Sequence, residues 1–120
     1  MRILVDTSVW IDHLRRTNPQ LVDLLNKGEV AIHPFVVGEL ACGNMRNRVE
    51  ILQLLSALPE TPEVEHGEAL RFAEDEKLHG QGLGWVDINL LASSRLQGVG
   101  LWSFDKALAA AATRLGIAGV

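Results

Sequence analysis

Acidic side chains are the groups in this sequence whose positions call for chemistry. A helical acidic residue ordinarily faces water, and its neighbours three and four positions away show where it points. For Glu39 those neighbours are Phe35, Val36, Cys42 and Gly43; for Asp87 they are Leu83, Gly84, Leu90 and Leu91. Both acids therefore fall on apolar helix faces, where an unpaired ion is costly. Glu50, beside Arg46 and Asn47, has an ordinary solvent-facing place by comparison. Asp6 and Asp105 occupy a different setting, where an apolar strand gives way to a helix: Ile3 to Val5 precede the first, Leu101 and Trp102 the second. Taken alone, either is explained as a cap or first-turn acid satisfying the helix dipole. Taken with Glu39 and Asp87, a cluster is the better account, because parallel strands bring their carboxyl ends together and sites form there. Like charges gathered in one pocket are stable only around a cation. With oxygen donors and no His or Cys among them, that cation is Mg²⁺ or Mn²⁺.

Strands and helices alternate in the way such a cluster needs. Ile3 to Val5 is a short apolar run suited to a strand buried on both faces. Thr7 or Ser8 can cap the helix that Val9, Trp10, Ile11 and Leu14 fill. Asn18 and Pro19 open a second helix with Leu21, Leu24 and Leu25 on its apolar face, ended by Lys27 and Gly28. Val30 to Ile32 reads as the second strand, Pro34 to Ala41 as a helix closed by Gly43, and residues 46–58 as another helix carrying Val49, Ile51, Leu52, Leu54, Leu55 and Leu58. Pro59 and Pro62 break the pattern, and a short third strand is expected near Val64. A helix over 65–79 packs Leu70, Phe72 and Ala73. Gly80, Gly82 and Gly84 form a flexible loop, lacking the Lys-Ser/Thr and the preceding strand of a phosphate-cradling one. Trp85 to Leu96 is helical, Val99 to Trp102 a strand, and Asp105 to Leu115 an alanine-rich helix, with residues 117–120 as a final edge strand. The expected fold is a three-layer α/β/α domain with a mainly parallel central sheet, one domain over residues 1–120.

Composition bounds the partners. The 120 residues are 48% hydrophobic and 22% charged, the balance of a soluble globular protein with a real core. No apolar run is long enough for a bilayer and no signal peptide opens the chain, so no membrane role is expected. The single cysteine, Cys42, excludes an internal disulfide framework and fits a reducing, cytoplasmic location; within its apolar stretch it reads as a small buried residue. A net charge of −4 argues against a protein that coats nucleic acid electrostatically, while leaving room for an enzyme that meets it through a metal. His13, His33, His66 and His79 are scattered without zinc spacing and read as surface or packing residues.

The order Val5-Asp6-Thr7-Ser8-Val9-Trp10, then Gly38-Glu39-Leu40, then Asp87-x-x-Leu90-Leu91-Ala92, then Trp102-Ser103-Phe104-Asp105 resembles the PIN-domain nucleases. More narrowly, it resembles the VapC-type toxins of type II toxin–antitoxin pairs, and the resemblance covers the whole chain. It implies a metal-dependent endoribonuclease acting on RNA, often a homodimer, held inactive by a small cognate antitoxin that inserts a basic side chain towards the acidic pocket. The resemblance carries the acidic, metal-binding roles onto Asp6, Glu39, Asp87 and Asp105. It carries a supporting hydroxyl role onto Thr7 and Ser103; many relatives have Thr where Ser103 stands, and Ser keeps the hydroxyl. On this reading Asp6, Glu39 and Asp87 make the core metal shell, and Asp105 binds a second ion or orients the attacking water. Arg15, Arg16, Arg46, Arg48 and Lys106 are available to RNA phosphates or to solvent. The apolar faces at residues 21–25 and 49–58 are expected to leave surface for a partner.

Two other classes remain open at this point. A receiver-like signalling module also binds Mg²⁺ in an acidic pocket, but needs adjacent acids after its first strand, where this chain has Asp6 and then Thr7. A catalytically idle interaction domain has no use for carboxylates on apolar helix faces.

Overall fold

The computed structural model describes residues 2–120. Its centre is strand β1 (Ile3–Val5), with β2 (Val30–Ala31) on one side and β3 (Gly100–Trp102) on the other, both parallel to it. All three strands are buried throughout, as their unbroken apolar runs require of strands covered on both faces. Two single bridges extend the sheet outward in the same sense, Ile32 to Glu60 beyond β2 and Leu101 to Ala118 beyond β3.

The chain thus builds outward from β1 through β2 to Glu60, then returns to β1's other side. The order reverses between β1 and β3. Helices α1 (Thr7–Arg15), α2 (Pro19–Asn26), α3 (Pro34–Ala41) and α4 (Arg48–Ser56) belong to the first half; α5 (His66–Asp75), α6 (Trp85–Gln97) and α7 (Lys106–Arg114) belong to the second. Right-handed crossovers put these two groups on opposite faces and make three layers. The packing agrees: α1 lies on α3 and α3 on α4, while α5 lies on α6 and both α6 and α7 lie on β3. α6 is the central helix, buried continuously from Ile88 to Ser94.

Several expectations need correction. The strand expected near Val64 sits earlier: Ile32 N–H donates to Pro59 O and Thr61 N–H to Ile32 O, after which Pro62 has no N–H to continue the ladder. The final edge strand shrinks to the bridge at Ala118, flanked by Leu101 N–H to Ile117 O and Gly119 N–H to Leu101 O. The α4 helix starts at Arg48, after Asn47 at φ 53°, and α5 stops at Asp75, two residues before Lys77 at φ 54°. Cys42 is exposed at the end of α3, because the chain leaves the core there. Leu70 is exposed too; Ala69, Phe72 and Ala73 supply the packed face of α5. Leu21 and Leu24 bury the face of α2 expected to be left over, whereas Val49 and Leu54 of α4 stay 69% and 70% exposed. No helix among the described residues is long and apolar enough to cross a membrane.

Candidate active site

Reversal of strand order between β1 and β3 opens a crevice at their carboxyl ends, the place where open α/β sheets bind ligands. Asp6 stands at the end of β1 and Ser103 just past the end of β3, so their side chains meet across that crevice. Asp6 is 6% exposed, and its Oδ2 accepts from Ser103 Oγ at 2.8 Å, Ser8 Oγ at 2.7 Å and Ser8 N–H at 3.3 Å. The helix cap is therefore Asp6 itself, not Thr7 or Ser8. Those donors satisfy one oxygen of a carboxylate that is almost wholly out of solvent.

Thr7 faces the other way. Its hydroxyl donates to Glu39 Oε1 at 2.6 Å and ties the start of α1 to α3. Glu39 is exposed, contrary to a burial on an apolar face, because Cys42 and Gly43, one turn on, are exposed as well. It edges a groove of about 760 Å³ lined also by Ile11, Leu14, Arg15, Met45 and Arg46. Arg48 closes the end of α3 by donating to Gly43 O at 3.0 Å and to Ala41 O.

α6 runs back against the strand direction into β3, so its N-terminus, with Asp87, lies at the same edge of the sheet. Asp87 Oδ2 accepts from Gly84 N–H at 2.9 Å. Its carboxyl is pushed above the ordinary range, first by burial and then by the charges of Asp6, Asp105 and Glu39, with the Gly84 bond opposing. Asp105 caps α7 through Oδ2, accepting from Leu108 N–H at 2.9 Å, and its own N–H donates to Ser103 Oγ at 2.9 Å.

A common pattern emerges. The hydrogen bonds from described residues reach one oxygen of each carboxylate, Asp6 Oδ2, Glu39 Oε1, Asp87 Oδ2 and Asp105 Oδ2. The second oxygen of each is left for another partner. Such all-oxygen donors fit a hard divalent cation. Among the described residues no three His, Cys, Asp or Glu side chains already stand at the spacing of one coordination shell. Each carboxylate is held by its own donor, and like charges resist closer approach.

Ser8 is the member that sequence reasoning missed. Besides donating to Asp6, its Oγ accepts from Phe104 N–H at 3.0 Å and lies 3.3 Å from Ser103 Oγ. It thereby joins the two sides of the crevice. Its signal in the sequence was only a hydroxyl two residues after an acid, which reads as a local cap. His33 is fully buried: Nδ1 accepts from Phe35 N–H at 3.0 Å, Nε2 lies 3.1 Å from Ser93 Oγ, and burial lowers its pKa to about 4. It is the packing residue expected and takes no part in the acidic site.

Comparison with known proteins places this geometry. The PIN domain family profile matches residues 3–113. The chain is 49% identical over 117 residues to Ribonuclease VapC32 of Mycobacterium tuberculosis, across 97% of this chain and 94% of that protein. Among solved structures, PAE2754 from Pyrobaculum aerophilum superposes with a TM-score of 0.67 at 17% identity, over 97% of this chain and 96% of its own. FitAB bound to IR36 DNA fragment gives 0.67 at 20% identity, over 98% and 93% respectively. At those identities the last two report a shared fold.

Proposed function

Since the chain belongs to the PIN-domain family and within it to the VapC type, we propose that it is an endoribonuclease that hydrolyses RNA phosphodiester bonds with a divalent cation, Mg²⁺ or Mn²⁺, as the toxin of a toxin–antitoxin pair. The observation that carries this reading is the Asp6 carboxylate at the crevice between β1 and β3, held there by Ser8 and Ser103, with Asp87 and Asp105 anchored at helix starts on the same edge of the sheet. A 49% identical relative bearing the name of a ribonuclease supports the RNA substrate. The receiver-like alternative falls with the family match.

In this reading Asp6, Glu39 and Asp87 would hold the cation, and Asp105 would orient the attacking water or hold a second ion. The bound cation supplies neutralisation of the phosphate oxygens and a water of lowered pKa. Ser8 and Ser103 hold the Asp6 carboxylate in place, and Thr7 does the same for Glu39. Water attacks phosphorus, the bond to the 3′-oxygen breaks, and the products carry a 5′-phosphate and a 3′-hydroxyl. Arg15 and Arg46, on the groove beside Glu39, are placed to meet RNA phosphates or an acidic stretch of a partner. The exposed Val49 and Leu54 of α4 support a homodimer or antitoxin contact, and family membership supports a single domain over residues 1–120 working in the cytoplasm.

Brief expression followed by mapping of new RNA 5′ ends tests this directly. The expected result is ligatable 5′-phosphates that disappear with Asp6→Asn or Glu39→Gln and, in vitro, with chelator. Cleavage that persists in excess chelator, or products ending in a 2′,3′-cyclic phosphate, would sink the mechanism; no cleavage of any RNA would restore the idle-domain reading. Light scattering with and without the neighbouring gene product reads the assembly separately.

A further inference from the structure

The chain has six aromatic rings of Phe and Trp and no Tyr. Those whose residues are exposed, Phe104 at 52% and Trp85 at 40%, both lie within two positions of a site carboxylate. Phe104 stands between Ser103 and Asp105; Trp85 opens α6 two residues before Asp87. Scattered exposed apolar residues need no explanation, but this placement is not scattered.

Neither ring is free to drift. Phe104 meets the buried Trp102 edge-on, with centroids 5.7 Å apart and an 85° interplanar angle, and its backbone N–H is held by Ser8 Oγ. Trp85 leans on His66 of α5, centroids 5.0 Å apart. The two loops adjoin: a Cβ built on Gly82 would lie 3.7 Å from Cβ of Ala107, in the first turn of the helix that Asp105 caps. The two exposed rings thus stand on adjoining loops, the ones that lead into Asp87 and Asp105.

Electrostatics makes their presence informative. A chain of net charge −4 with its carboxylates gathered at one site repels RNA phosphates on approach. Contacts that do not depend on phosphate charge can then add to what Arg15, Arg46 and a bound cation offer the strand. Stacking of bases on aromatic faces is such a contact, tolerant of sequence and available only to bases not already paired and stacked.

We propose that Phe104 and Trp85 form a stacking site for unpaired nucleobases next to the scissile phosphate. The inference rests on the ribonuclease reading above. It assigns to these rings the positioning of the strand over the carboxylates, with no part in the bond-breaking step.

The test uses a fluorescein-labelled, random-sequence single-stranded RNA oligomer and the matching duplex, with Ca²⁺ in place of Mg²⁺ to read binding without cutting. Phe104→Ala should weaken binding of the single strand roughly ten- to a hundredfold, the loss expected for one stacked base, and Phe104→Tyr should restore it. RNA should quench the fluorescence of wild type, and Trp85→Leu should remove most of that quench, because Trp10 and Trp102 are buried. Duplex binding should be weak and indifferent to both substitutions. Equal single-strand affinity of wild type and the double variant, or equal losses on duplex, would overturn the proposal while leaving the ribonuclease reading standing. Variants that bind RNA normally but lose the antitoxin would give the rings to a protein partner and also overturn it. A wild-type protein that neither binds nor cuts RNA overturns both readings.

Discussion

Ser8→Ala is the substitution whose effect follows most directly from the site's construction. The Ser8 hydroxyl donates to the Asp6 carboxylate at 2.7 Å and accepts the Phe104 N–H at 3.0 Å. A hydrogen bond to a charged group contributes about 1.5–3 kcal/mol and a neutral one about 1 kcal/mol. Both lie at the partly exposed rim, so the low end applies and the variant should lose about 2 kcal/mol in total. In a chain of this length each kcal/mol moves the melting temperature by roughly 3–5 °C, which puts Ser8→Ala some 6–10 °C below wild type, by about that reckoning. Cleavage should fall roughly 10–100-fold, as it does when the groups that hold a metal-binding carboxylate are removed, and raised metal concentration should recover part of it. Ser103→Ala removes a second donor from the same oxygen, at 2.8 Å. The two losses should therefore couple in a double-mutant cycle instead of adding. Urea denaturation and a metal titration of the cleavage rate measure both. A Ser8→Ala protein that melts within about 2 °C of wild type and cuts at the wild-type rate would refute the idea that this hydroxyl fixes Asp6.

Asp87→Asn should abolish cleavage yet leave the metal-free protein at least as stable as wild type at neutral pH. The native carboxyl titrates above its ordinary 3.8, so its stabilising contribution is complete below that pH and is lost as pH rises through the raised native value; the gap between variant and wild type in chelator should open across that window. Mg²⁺ should raise the melting temperature of wild type and far less that of the variant. His33 titrates at about 4 against an ordinary 6.5, so the unfolded chain binds the extra proton between those values and stability should fall with acidification from pH 6.5 towards 4; a His33→Asn protein whose pH curve matches wild type over that range would count against it. Gly100→Ala would set a Cβ 2.6 Å from Gly119 Cα, a backbone clash expected to cost about 1–3 kcal/mol in urea denaturation, and wild-type stability there would mean that the C-terminal bridge does not pack as described.

The sequence exposed the strands and the acids well, and for the same reason. A buried parallel strand must be apolar throughout, so Ile3 to Val5 and Leu101 to Trp102 announce themselves, and an acid that follows such a run stands out. What it hid was depth. Periodicity shows that Glu39 shares a helix face with Val36 but not that the chain turns to solvent at Cys42, so an exposed acid read as a buried one. Leu70 misled similarly: α5 is covered only along Ala69, Phe72 and Ala73, and its remaining side meets water. The outer sheet was illegible because it consists of single bridges at Glu60 and Ala118, each too short to carry a period-two signal. Ser8 was invisible as a link because its partner Phe104 lies 96 residues away.

The capping and catalytic readings of these acids are complementary, and this governs how they should be tested. Asp6, Asp87 and Asp105 each spend Oδ2 on a backbone N–H near the start of a helix, those of Ser8, Gly84 and Leu108. The cap fixes the rotamer, the rotamer aims the other oxygen, and the helix start itself favours negative charge. One residue thus ends a loop and equips a site. Replacing it with alanine removes the cap, costing about 0.5–2 kcal/mol, along with the charge, so an inactive Asp→Ala protein would not separate folding from chemistry. Asparagine caps nearly as well and removes only the charge and one ligand oxygen. If Asp105→Asn keeps wild-type stability and loses cleavage, the charge at that helix start serves the reaction; if it keeps both, Asp105 is a cap alone, and the site reduces to Asp6, Glu39 and Asp87.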